Sequence, residues 1–137
     1  MEELIQRIVT SVGIDEGLAK TAVGIILNMF QNEGDAGAVA TLMNAMPGSG
    51  DLASAAASAV SDGGSGGGLG GLMGAAASML GGDSPAMAMV GQLTGAGLSI
   101  DQAKGVGSEL MDFATEKAGG DVVAQIASSI PGLDQLL

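Results

Sequence analysis

One pattern of residues occurs twice in this chain, and adding 84 to a residue number carries the first copy onto the second without a gap. Identical residues recur at this spacing in turns, at a lysine and at a proline: Gly13 and Gly97, Lys20 and Lys104, Pro47 and Pro131. The 137 residues include only four basic residues and three prolines. The lysine pair and the proline pair are therefore difficult to explain by chance. The sequence therefore predicts an internal repeat, in which residues 13–52 correspond to residues 97–136.

Each copy has the apolar spacing of amphipathic helices. In the first helix, Leu4, Ile5 and Ile8 recur three and four positions apart, which places them on one face. Each copy then continues with a Gly-Ile or Gly-Leu turn, a long helix, a glycine break and a helix that ends at Pro-Gly. Ser99 begins a capping box, and Asp121 is expected to cap the last long helix.

Aromatic residues, which favour β-sheets, are limited to Phe30 and Phe113. The sequence therefore predicts an all-α helical bundle of six to eight helices, built from two related three-helix units. The first unit covers residues 1–60 and the second residues 72–137, and residues 61–71 form a flexible Gly/Ser-rich linker. A unit of this size buries its apolar faces poorly alone, so we expect the two units to dock and share a core.

Composition excludes several classes of function. The chain has no cysteine, and this removes disulfides, thiolate nucleophiles and cysteine-bound zinc. It also has no histidine, which is the commonest general base and metal ligand. Fifteen acidic residues against four basic ones give a net charge of −11, so we expect neither nucleic-acid binding nor attraction to an anionic membrane. The acidity is interpreted as an aid to solubility, and a basic partner remains open.

The turn and cap motifs resemble those of a bacterial protein family. Val-Gly-Ile-Asp at residues 12–15, Ala-Met-Pro-Gly at 45–48, Gly-Leu-Ser-Ile-Asp-Gln-Ala at 97–103 and Ile-Pro-Gly-Leu at 130–133 stand in the order typical of the VcgC/VcgE-like family of unknown function. The chain is more distantly similar to the YidB-like helical proteins. The resemblance implies an all-helical bacterial protein and supplies no catalytic residues.

Three carboxylates, Glu109, Asp112 and Glu116, share one face of the long helix in the second copy. Such a set could bind Ca²⁺ or Mg²⁺, or act as an acid and base pair. The favoured interpretation is a solvated face opposite Phe113, so we expect no metal site and no enzymatic activity. No cofactor is expected either, because the G-x-G-x-x-G pattern at residues 66–71 lacks the preceding strand of a dinucleotide site.

An apolar segment without charges follows the linker. Its large side chains are candidates for an interaction site: Leu69, Leu72, Met73, Met79 and Leu80. Because nearly half of the surrounding stretch is glycine, we expect this segment to pack against the core or a partner and not to span a membrane.

The nine methionines include Met87 and Met89, which the spacing places with Ile100 among the apolar stripes of the second copy. Such methionines are expected to fill the core, although they could also line an adaptable groove.

The sequence predicts a non-enzymatic structural or interaction protein that associates with itself through exposed apolar helix faces. The alternative is a protein that binds apolar ligands or associates with membranes. Glu2, Glu3 and Arg7 interrupt any N-terminal signal peptide, so a cytoplasmic location is expected.

Overall fold

The computed structural model describes residues 1–62 and 85–132, and all regular structure within these ranges is α-helical. This confirms the predicted all-α class. Seven helices are present in the described ranges: α1 (Glu2–Val12), α2 (Glu16–Glu33), α3 (Ala36–Ala45), α4 (Ser49–Asp62), α5 (Pro85–Gly95), α6 (Ile100–Ala118) and α7 (Gly120–Ser129). None of the helices described here is long and apolar enough to cross a membrane.

The helix boundaries follow the spacing noted in the sequence. At that spacing the first residue of α6 corresponds to the first residue of α2, and α7 corresponds to α3 at both of its ends. Helix α5 begins and ends one residue earlier than the position that α1 predicts at this spacing. Helix α4 extends the first half to Asp62, and so includes the start of the segment that the sequence assigned to the linker. Residues 63–71 of that linker lie outside the described ranges.

Side-chain caps explain where the long helices begin. The Asp15 carboxylate accepts a hydrogen bond from the Leu18 backbone N–H at 2.9 Å and so caps α2. At α6 the predicted capping box is confirmed: Ser99 accepts from the Gln102 backbone N–H, and the Gln102 side chain accepts from the Ser99 N–H. The predicted cap of the last helix was wrong, because α7 begins at Gly120 and Asp121 lies within its first turn.

The long helices α2 and α6 lie at the centre and contact each other. Helix α1 packs mainly on α6, whereas α5 packs on α2, so each of these short helices contacts the long helix of the other half. Helices α3 and α7 also contact each other, and α4 packs along α2. Buried residues from all seven helices form one continuous apolar cluster, so the described residues have a single core.

Helix α4 approaches α2 closely at Gly24. A Cβ atom at Gly24 would lie 2.5 Å from the Leu52 carbonyl oxygen and 2.8 Å from the Ala56 Cβ. Only a residue without a side chain permits this approach of the two backbones. Gly24 therefore permits α4 to lie close against α2, and α4 in turn covers one side of this central helix.

Candidate functional site

A groove of about 140 Å³ lies between α2 and α5. Its floor consists of the buried side chains of Ile25, Met29 and Met89. The remaining lining residues are Asn28, Asn32, Glu33, Pro85, Ala88 and Gln92. The groove therefore has an apolar floor and a mostly uncharged polar rim.

Beside the groove, α5 has exposed small or polar side chains at positions where α1 has large buried apolar ones. At the repeat spacing, Ala88 and Gln92 correspond to Leu4 and Ile8, which are fully buried. An alanine methyl group and a glutamine with a polar end fill less apolar space than leucine and isoleucine. The side of α5 that faces the groove is therefore left incompletely packed.

Hydrogen bonds hold the asparagine side of the rim in place. The Asn32 side-chain amide donates to the Asn28 carbonyl oxygen at 2.8 Å and to the Asn28 side-chain oxygen at 3.1 Å. Glu33 is the one ionisable side chain among the described residues that line the groove. The described lining of the groove thus offers apolar contact and amide hydrogen bonds, but within it no second titratable group lies beside Glu33 for proton transfer.

Two large apolar side chains are exposed: one lies in α5 beside this groove, and the other lies at the start of α6. Met87 is 58% exposed in α5, and Ile100 is 57% exposed at the first position of α6. The prediction that Met87 and Ile100 belong to buried apolar stripes was therefore wrong. The corresponding residues of the first half are Glu3 and Glu16, so the second half presents apolar side chains where the first half presents charged ones.

The junction of α1 with α6 is closed by charges around an aromatic ring. The Arg7 guanidinium and the Lys117 ammonium lie 5.8 and 5.2 Å from the centre of the buried Phe113 ring. Arg7 also pairs with Glu116 at 3.2 Å and with Glu3 at 3.6 Å, and Lys117 approaches Glu3 at 3.9 Å. Helix α5 has Gly91 at the position that corresponds to Arg7, so it cannot form an equivalent closure.

The three carboxylates of α6 do not act as one group. Glu116 is paired with Arg7, whereas Asp112 is exposed and Glu109 is half-buried. In residues 1–62 and 85–132, no set of three or more Asp or Glu residues is placed to hold a metal ion.

The predicted interaction residues Leu69, Leu72, Met73, Met79 and Leu80 lie outside the described residues. The sequence favoured core packing for the methionines and gave a methionine-lined groove only as the alternative, without placing it between α2 and α5. A comparison of α1 with α5 at the repeat spacing contains a signal for it, since large residues are replaced by small or polar ones at Ala88 and Gln92.

Comparison with protein-family models, with curated proteins and with solved structures gave no match.

Proposed function

We propose that this protein is a non-enzymatic helical interaction protein that associates with itself through the exposed apolar side of α5 and the start of α6. The observation that carries this proposal is the exposure of Met87 and Ile100. Large apolar side chains in water are stabilised by contact with another apolar surface, which a second protein molecule can supply. We further propose that the two halves are copies of one unit and that only the second copy presents this surface.

The distribution of charge supports the same site. The first half has Glu3 and Glu16 at the positions that correspond to Met87 and Ile100. A molecule with a net charge of −11 repels another copy of itself, so contact is favoured where acidic side chains are fewest. The second half has apolar residues at two exposed positions that are acidic in the first, and this makes it the better surface for association.

Catalysis or cation binding by the carboxylates of α6 has less support. Glu116 is occupied by Arg7, and a cation would have to compete with this guanidinium for the carboxylate. Glu33 is the only ionisable residue among the described residues that line the groove. General acid and base catalysis requires positioned titratable groups, and none is paired there.

The alternative function is the binding of an apolar ligand in the groove between α2 and α5. Its floor of Ile25, Met29 and Met89 favours this function. Its size argues against it, because ligand pockets have volumes of about 300–1,000 Å³ and this groove has about 140 Å³. Stabilisation by a fatty acid, measured as a rise in melting temperature, would support the alternative.

Sedimentation equilibrium of the purified full chain tests the proposal. We expect a concentration-dependent oligomer in the wild type. The double variant Met87→Glu/Ile100→Glu places on the second half the acidic residues of the first half, and it is expected to be monomeric. The matched control is Ala40→Glu/Ser54→Glu, which adds the same charge at exposed positions of α3 and α4 and should leave association unchanged.

A wild-type chain that is monomeric at every concentration would contradict the proposal. Equal weakening by the two double variants would also contradict it, because net charge and not the surface of α5 would then control association.

A further inference from the structure

We infer that a second copy of this chain docks across α5 about a two-fold axis, with the Met87 side chain of each copy in the α2–α5 groove of the other. This inference rests on the proposed self-association and specifies its interface. A two-fold interface uses the same patch on both molecules, so the patch must contain both a projecting group and a recess for it.

Helix α5 supplies both parts of such a patch. Met87 projects into solvent, and its neighbour Ala88 lines the groove together with Met89. Consecutive residues of an α-helix are separated by about 100° around its axis, because a turn contains about 3.6 residues. Met87 and the groove therefore lie on adjoining sides of one helix, where a single partner surface can contact both.

The groove has the size of one apolar side chain. A cavity of about 150 Å³ holds a molecule as large as benzene, and this groove has about 140 Å³. Methionine is unbranched and has three rotatable bonds, so it adapts to an irregular recess. Met29 and Met89 in the floor can adjust in the same way around an entering thioether.

Charge also favours a second copy at this helix. Helix α5 has the sequence PAMAMVGQLTG and carries no charged side chain, a property that among the described helices it shares only with α3. Contact between two α5 helices therefore opposes no charged side chains of α5 itself in a chain of net charge −11, and Glu33 is the one ionisable residue that an entering side chain would meet among the described residues of the groove. The remaining long-range repulsion is screened by salt, so we expect the dimer to become tighter as ionic strength rises.

The dependence of binding on salt distinguishes a second copy of this chain from a basic partner protein, which the negative net charge would also allow to bind. A basic helical partner would be attracted by the negative chain, and its binding would weaken with salt. In that case the purified chain would stay monomeric at every salt concentration, and this result would overturn the inference.

The experiment uses sedimentation equilibrium of the full chain with two kinds of variant. Ala88→Leu fills the groove with the residue that α1 has at the corresponding position, and Gln92→Leu is a second filling variant. Met87→Gln removes the projecting apolar group. Each is expected to weaken the dimer at least about tenfold, which is the effect of losing one well-buried interface residue. Ala40→Leu adds an equal side chain on exposed α3 and should have no effect.

A mixture of two variants gives the sharpest test. The Ala88→Leu chain keeps Met87, and the Met87→Gln chain keeps an open groove. Their heterodimer therefore retains one of the two contacts, whereas each homodimer retains neither. We expect the mixture to associate more tightly than either variant alone.

The outcomes distinguish this inference from the proposed function. A dimer in the wild type that neither filling variant weakens, while Met87→Glu/Ile100→Glu still disrupts it, would overturn the groove contact and leave self-association intact. A mixture no tighter than its components would also overturn the contact. A wild-type monomer would overturn both proposals.

Discussion

The Arg7 guanidinium of α1 lies 5.8 Å from the centre of the Phe113 ring of α6. This contact joins the first helix of one half to the long helix of the other. The corresponding junction of α5 with α2 has Gly91 and Met29 at these positions and contains the open groove. The two ends of the bundle therefore differ: one is closed by a charged side chain over a ring, and the other can receive a side chain from outside.

Loss of the Arg7 side chain should destabilise the closed junction. A cation over an aromatic ring at a partly exposed site contributes about 0.5–1 kcal/mol, and the exposed ion pairs with Glu3 and Glu116 add a fraction of this. We expect Arg7→Ala to lower the free energy of unfolding by about 1 kcal/mol in urea denaturation. Lys104→Ala removes the same charge from an exposed residue without an ion pair in the described structure, and should change stability by less than about 0.5 kcal/mol. Equal losses in the two variants would refute a specific role for the contact.

Gly24→Ala should force α4 away from α2. The new Cβ would lie 2.5 Å from the Leu52 carbonyl oxygen, and backbone atoms must move to relieve the overlap. Overpacking of this kind costs about 1–3 kcal/mol, which urea denaturation would measure. The control is Gly50→Ala in α4, where a Cβ meets nothing within 4 Å. That variant should gain about 0.5 kcal/mol from lower unfolded-state entropy, so a loss in both would contradict the prediction.

Removal of the capping box should shorten the start of α6. Ser99→Ala leaves the Gln102 backbone N–H without its acceptor, and the loss of such a cap costs about 1 kcal/mol. Ser108→Ala changes the same residue type at an exposed position inside α6 and should not reduce stability. Amide hydrogen exchange at residues 100–103 should be faster in Ser99→Ala only. Unchanged protection there would argue against the cap.

The pKa of Lys20 is raised by a hydrogen bond from its ammonium to the Glu16 carboxylate and by the negative charge of that carboxylate. A raised pKa in the folded chain adds stability below the ordinary lysine pKa, and this contribution is lost as pH rises through the raised value. Because Lys20 is exposed, solvent keeps the effect on stability small. We expect Glu16→Gln to lower the pKa of Lys20, measured by NMR titration of its side chain. Glu33→Gln removes the same charge at the far end of α2 and should leave that pKa unchanged.

The helices and their approximate ends could be predicted from the sequence, because apolar periodicity, caps and glycine breaks depend on neighbouring residues. The capping box of Ser99 and Gln102 uses groups three positions apart, and the spacing of Leu4, Ile5 and Ile8 defines one helical face without reference to a partner. Asp121 was assigned wrongly as a cap, because α7 begins one position before it and a glycine precedes the helix. Local patterns therefore identify helices well and their first residue less well.

The candidate site depends on distances between helices, and no local pattern contains these. Met87 and Ile100 have the spacing of buried residues, yet no other described helix covers them. The groove exists because α5 lies against α2 with Ala88 and Gln92 toward the gap, and the choice of α2 over α6 as its main neighbour is made by packing of the whole core.

The residue order alone determined that the chain is helical and where its turns occur, since caps, glycine breaks and apolar periodicity act over a few residues. Tertiary structure decided which long helix each short helix contacts, how closely α4 approaches Gly24, and which apolar side chains stay in water. The physical reason is that burial requires two surfaces in contact. A stripe of apolar residues in the sequence shows which side chains can be buried, and the packing of the other helices decides which of them are buried.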